Sequence, residues 1–269
     1  MQAGIFAKTF PGRDPQTVLA AVQGAGFAAA QYNLACSGLP SMPEHVPDGT
    51  AAAMVAAAAN TGVALAALSG TGNMAHPDPA HRKAVVRQLR AVIGCAAQAG
   101  IPMVTLCTGT RDPADQWRFH ADNTTPEAWA DMRATMAEVC DMAGVAGVLL
   151  GIEPEQANVV QSVADALRLA RELQTDRIRI VLDPANLFES GPAPDMARAV
   201  AEAAPLLGLV HAKDRRTDGQ VAPPGDGAVD FPALFAGLRG VGYDGAVITH
   251  GIELPDVPQT ARRLRDWLA

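Results

Sequence analysis

The feature that most restricts this chain is an alternation. A short apolar run suited to a strand is followed by a longer run with apolar residues at helical spacing, eight times in strict order. Strand-like runs fall at residues 4–10, 29–35, 63–69, 103–108, 148–153, 178–183, 208–213 and 246–250. Helix-like runs fall at 15–25, 49–61, 79–99, 126–143, 163–173, 195–203, 232–239 and 257–267. Such an order calls for parallel strands joined by crossover helices. The runs Ile178-Arg179-Ile180-Val181-Leu182 and Val247-Ile248 are β-branched, as strands covered on both faces require. Eight units in 269 residues suit one closed (β/α)8 barrel, a single α/β domain spanning 1–269. An open doubly wound sheet is the alternative, but eight consecutive units favour closure.

Local signals support the same division. Asp14-Pro15, Asp78-Pro79 and Thr125-Pro126 each put a capping residue before a proline at the first helical position. Thr124-Thr125-Pro126-Glu127 reads as a Thr-x-x-Glu capping box, and Asp230-Phe231-Pro232 opens the seventh helix. Gly26, Gly62, Gly100 and Gly144 are expected to end helices. The pair Gly70-Thr71-Gly72 lacks the third glycine of a dinucleotide loop and follows the third strand rather than the first.

Composition narrows the function classes. Hydrophobic residues make up 49% and charged residues 18%, enough for a large core. The net charge of −7 gives no global attraction to nucleic acid or anionic membrane. No apolar run reaches the roughly 18 residues that cross a bilayer. The start Met1-Gln2-Ala3-Gly4-Ile5-Phe6 has no basic lead-in, so no signal peptide is read. Cys36, Cys95, Cys107 and Cys140 lack CxxC spacing and read as reduced, buried thiols of a cytoplasmic protein.

In a barrel of this kind the active site lies where the strands end. The fifth strand exits through Glu153-Pro154-Glu155, the sixth through Asp183-Pro184-Ala185-Asn186, the seventh through His211-Ala212-Lys213-Asp214 and the eighth through His250-Gly251-Ile252-Glu253. Four successive strands therefore end in a metal-capable side chain. Two carboxylates and two imidazoles suit one divalent ion of the Mn, Co, Zn, Mg or Fe type better than a thiolate-seeking one. Residues two apart on a strand point the same way. Glu155 can thus follow Glu153 inward, and Lys213 can follow His211 or pair with Asp214.

These segments resemble the sugar phosphate isomerase/epimerase family, the xylose isomerase-like TIM barrels. The likeness rests on Ile152-Glu153-Pro154-Glu155, Asp183-Pro184-Ala185-Asn186-Leu187 and His211-Ala212-Lys213-Asp214. It extends to the 224–231 loop, Gly242-Tyr243-Asp244-Gly245, Leu68-Ser69-Gly70-Thr71-Gly72-Asn73-Met74, and the stretches 107–113 and 117–124. The resemblance implies a divalent metal held by Glu153, Asp183, His211 and a last acidic residue. Counting from Gly245, that place falls on His250, with Glu253 three residues later as its rival. A substrate-touching histidine of the family falls on Asn186, which cannot shuttle protons near neutrality. The resemblance further implies proton abstraction next to a carbonyl through a metal-stabilised enediolate, with Glu153, Glu155 or Glu253 as acid/base groups.

The substrate so implied is a small sugar or polyol, with neither nucleic acid nor membrane as partner. Pairing of chains is expected from the family rather than from any residue. The 107–125 segment is too long for a simple turn. Trp117, Arg118, His120 and Asn123 on it are candidates to complete the pocket, Trp117 by stacking on a sugar face and the others by holding hydroxyls or a phosphate. His45, His76 and His81 read as surface residues, and Arg111-Asp112 as a salt bridge. The Gly225–Gly227 loop reads as a lid or an ordinary turn. Three further readings compete with a metal-dependent isomerase or epimerase. They are a lyase or dehydratase of a keto-inositol or keto-glycoside, a repair endonuclease of the three-zinc barrel type, and a non-enzymatic sugar-binding protein. The charge and the six histidines oppose the nuclease.

Overall fold

A computed structural model describes residues 1–188 and 195–269. Its barrel strands are β1 (Gln2–Phe6), β2 (Ala29–Tyr32), β3 (Ala64–Ser69), β4 (Met103–Leu106), β5 (Leu149–Ile152), β6 (Ile178–Leu182), β7 (Leu207–Ala212) and β10 (Ala246–Thr249). They close in the order β1-β10-β7-β6-β5-β4-β3-β2. Every neighbouring pair runs parallel, and Gln2 opposite Ala246 and Gly4 opposite Ile248 seal the ring between the first strand and the last. The (β/α)8 TIM barrel expected from the alternation is the fold.

The barrel interior is filled by Ala29, Ala67, Met103, Val181, Leu209, Ala246 and Ile248, all buried. Large side chains fit because glycines face them. A Cβ on Gly151 would stand 2.6 Å from Met103 Sδ and 2.8 Å from a Val181 methyl, and one on Gly208 would stand 2.6 Å from Met103 Cε. A larger cluster lies between the strands and the outer helices. There α4 (Pro126–Ala146) buries Met132, Thr135, Met136, Val139, Cys140 and Ala143, one stripe of a 3.6-residue period. The stacked rings of Phe231 and Trp267, 4.5 Å apart, join α8 (Phe231–Gly240) to α9 (Val257–Leu268).

Boundary expectations hold to within a few residues, with two corrections. Helix α4 has no capping box: its N-cap is Thr125, whose hydroxyl accepts from the Ala128 N–H, and Thr124 belongs to the preceding 3-10 turn. The box lies instead at α5 (Val163–Leu173), where Ser162 and Asp165 bond each other's backbone. Nor does Gly144 end α4, which runs on until Gly147 takes φ +69°. All four cysteines are free and buried. No described helix is long and apolar enough to cross a membrane.

Beyond the 3-10 turns, two short elements lay outside the sequence expectation. One is the short helix α6 (Pro184–Leu187), capped by Asp183. The other is the antiparallel hairpin β8 (Asp214–Arg215) with β9 (Val221–Ala222). Both sit at the C-terminal end of the barrel and shape what lies there.

Candidate metal centre

Four side chains meet above the barrel interior. Glu153 follows β5, Asp183 follows β6, His211 lies within β7 and His250 follows β10. One ligand atom from each lies within 4.8 Å of all the others. Asp183 divides its two oxygens. Its Oδ1 accepts from the Ala185 N–H at 2.9 Å, fixing the start of α6, while Oδ2 points into the cluster. His250 Nε2 stands 3.2 Å from that Oδ2, and its ring meets the ring of His211 edge-on at 4.4 Å.

Behind this cluster runs a polar ring. Asn186 Nδ2 donates to Glu153 Oε1 at 3.0 Å, and its Oδ1 accepts from Lys213 Nζ at 2.9 Å. Lys213 in turn pairs with Asp183 Oδ2 at 2.9 Å. The sequence reading offered Asp214 as the partner of Lys213, and the structure overturns it. Asp214 is fully buried and accepts the backbone N–H groups of Arg215, Gly225, Gly227 and Val229 instead. A carboxylate so occupied has no oxygen to spare for an ammonium. Asn186 and Lys213, expected at the substrate, are bonded here to Glu153, Asp183, the Pro154 carbonyl and each other.

Electrostatics follow from this crowding. Burial would raise Asp183, but Lys213, His211 and His250 outweigh it and hold its carboxyl well below the usual range. Glu153 behaves alike: burial opposes ionisation, and His211 overcomes it. Burial would discharge His211, yet Glu153 and Asp183 lift it to about 9. His250 moves the other way, lowered by burial and by the neighbouring His211 charge.

The donor set fits a divalent cation. Bonds of about 2.0–2.2 Å hold ligand atoms about 3–4 Å apart. His211 Nδ1 lies 3.5 Å from Glu153 Oε1 and 3.6 Å from Asp183 Oδ2. That nitrogen is buried without a hydrogen-bond partner, so once the ring is neutral it is an atom that could ligate an ion.

Glu153, His211 and His250 floor a cleft of about 480 Å³ whose walls include Glu155, Cys107, Gln31, Lys8, Phe6 and Trp117. Glu155 is held there by Asn158 Nδ2 at 2.8 Å, and Asn158 also accepts from the Gly109 N–H. Trp117 is 56% exposed at the mouth, not buried beneath its loop.

Its neighbours are used locally. Arg118 pairs with Asp112 at 3.4 Å and Asp115 at 3.6 Å, and His120 Nδ1 caps the Asp122 N–H. Asn123 is buried and ties Thr110, Arg111 and Ala157 together. Arg111 pairs with Asp131, not Asp112. His76 is buried and stacks on His81, contrary to the surface reading. Glu253 is exposed outside the cluster, because Gly251 at φ +70° turns the chain and sends Ile252 inward.

Sequence reasoning missed Gln31, Asn158, Phe6, Lys8 and Cys107. Only Gln31 carried a sign, an amide in an otherwise apolar strand. Its partner His211 is 180 positions away.

Comparison with known proteins places this architecture. Residues 19–269 match the xylose isomerase-like TIM barrel family, and the chain belongs to that family. Among curated relatives, the 3-dehydro-D-guloside 4-epimerase of Escherichia coli is 30% identical over 142 residues, covering 52% of this chain and 51% of that protein. The ketose 3-epimerase of Arthrobacter globiformis is 28% identical over 206 residues, covering 74% and 67%. The match thus spans about half the length of the first relative and two thirds of the second. Among solved structures, the apo 3-keto-D-glucoside 4-epimerase of E. coli superposes with a TM-score of 0.78 at 21% identity, covering 100% of this chain and 98% of that one. At that identity the likeness concerns the fold.

Proposed function

We propose that this protein is a divalent-metal-dependent sugar isomerase or epimerase that removes a proton from carbon next to a carbonyl. The observation that carries the reading is the convergence of Glu153, Asp183, His211 and His250, three of which floor a cleft open at the barrel's C-terminal end. The relatives named above are epimerases of ketoses and keto-sugar glycosides, which supports the same chemistry.

A cation held by these four residues supplies Lewis-acid polarisation of the substrate carbonyl. The rest falls to the chain. Glu153, oriented by the Asn186 amide, accepts the proton as the carbon–hydrogen bond breaks. Glu155, fixed by Asn158 on the same cleft, returns a proton to the opposite face or to the adjacent carbon. Phe6 and Trp117 provide apolar walls against which a sugar ring packs while water is excluded.

Deuterium exchange tests this directly. The Mn²⁺- or Co²⁺-loaded protein in D₂O is expected to place deuterium beside the carbonyl of at least one ketose or keto-glycoside. Glu153→Gln should lower that rate by about 10²–10⁴-fold. Absence of exchange across the panel, or exchange that survives Glu153→Gln, overturns the reading. One observation favours a second outcome on the same site. His250 stands where the family resemblance places a carboxylate, which leaves one fewer carboxylate in the cluster. Elimination of a leaving group β to the carbonyl needs a single carboxylate base, so release of an alcohol from a keto-glycoside would mark a lyase.

A further inference from the structure

Gln31 crosses the top of the barrel. Its Oε1 lies 2.9 Å from His211 Nε2 on β7, and its Nε2 donates to Thr105 Oγ1 on β4 at 3.2 Å. In the closed order β1 and β10 separate β2 from β7, so this contact is made through the interior and not along a strand ladder. Gln31 is 7% exposed and Thr105 4%. A buried amide is costly unless its polar atoms are bonded, and these are bonded across the barrel.

A neutral imidazole has one N–H and one lone pair. With the proton on Nε2 and donated to Gln31, Nδ1 turns its lone pair to the space between Glu153 and Asp183. There the structure gives it no hydrogen-bond partner. The opposite tautomer would set two lone pairs against each other at 2.9 Å and aim an N–H at the cluster. We infer that Gln31 is a positioning residue whose Oε1 holds the His211 proton on Nε2, so that Nδ1 is the atom presented to a cation. Thr105 Oγ1 accepts from the other end of the amide and holds the side chain across the barrel. The purpose of this lock rests on the metal reading above; the tautomer itself does not. Partners of this kind orient metal-binding imidazoles, and their loss weakens metal affinity about 10–100-fold.

Long-range ¹H–¹⁵N correlation of histidine-labelled protein reads the tautomer without any metal, at an alkaline pH where the nitrogen shifts themselves show the ring to be neutral. Wild type is expected to show His211 protonated at Nε2. Gln31→Met, of similar size but without the acceptor, should give mixed tautomers and a Zn²⁺ Kd raised about 10–100-fold by calorimetry. Gln31→Glu keeps an acceptor and should restore the Nε2–H signature. Thr105→Val should loosen it while leaving the Gln31 side chain in place, so misfolding of one variant does not decide the matter. An Nδ1–H ring in wild type, or unchanged tautomer and Kd in Gln31→Met, overturns the inference. A locked Nε2–H in wild type that takes up no metal would uphold it and defeat the metal reading instead.

Discussion

His211 is wedged between an amide on one side and two carboxylates on the other, and its titration follows. In the metal-free protein it charges at about 9, above the ordinary 6.5. The stabilisation it brings is therefore complete below about 6.5 and is lost as pH rises through about 9. A cation needs the uncharged nitrogen, so its binding displaces a proton across the same interval. The melting temperature of metal-free protein should thus fall from neutral pH toward pH 9 while the rise on adding Mn²⁺ grows. Calorimetry in buffers of different ionisation enthalpy should show about one proton released per metal near neutrality. His211→Ala should abolish stoichiometric metal in elemental analysis. His250→Ala should weaken binding about tenfold or more, and Glu253→Gln should leave it unchanged; the reverse result would move the fourth ligand to Glu253.

At the scale of single elements, two placements fix the neighbourhood. Asp214 gathers four main-chain N–H groups from the stretch after β7. A Cβ on Gly227 would collide with that carboxylate's carbon at 2.6 Å, so the loop is wrapped as tightly as glycine permits. Asp214→Ala should cost about 1–3 kcal/mol or more in denaturant unfolding, because buried donors lose their acceptor. Asp214→Asn keeps one acceptor oxygen and should cost less.

Strand ends were readable in the sequence because each is local. An apolar run that stops at Glu153, Asp183, His211 or His250 announces a polar tip by itself. The turns beyond were not readable. Whether Glu253 points in or out depends on the φ of Gly251, and whether Lys213 meets Asp214 or Asp183 depends on where the loop's N–H groups go. Gln31 stayed hidden for the same reason, since only closure of the ring brings it to His211.

For the whole molecule, closure rests on size matching inside the ring. Gly151 admits the sulfur of Met103, and Gly208 admits its methyl. Gly151→Val should destabilise the fold by about 1–3 kcal/mol, measured by chemical denaturation, since overpacking forces strands apart. Met103→Leu keeps the volume and should be milder. Met103, Val181, Leu209 and Ile248 are packed into the barrel interior, and the cleft has Trp117 at its mouth. If the proposed epimerase reading holds, sugar and its altered twin would share that one recess, so each should inhibit competitively the conversion of the other.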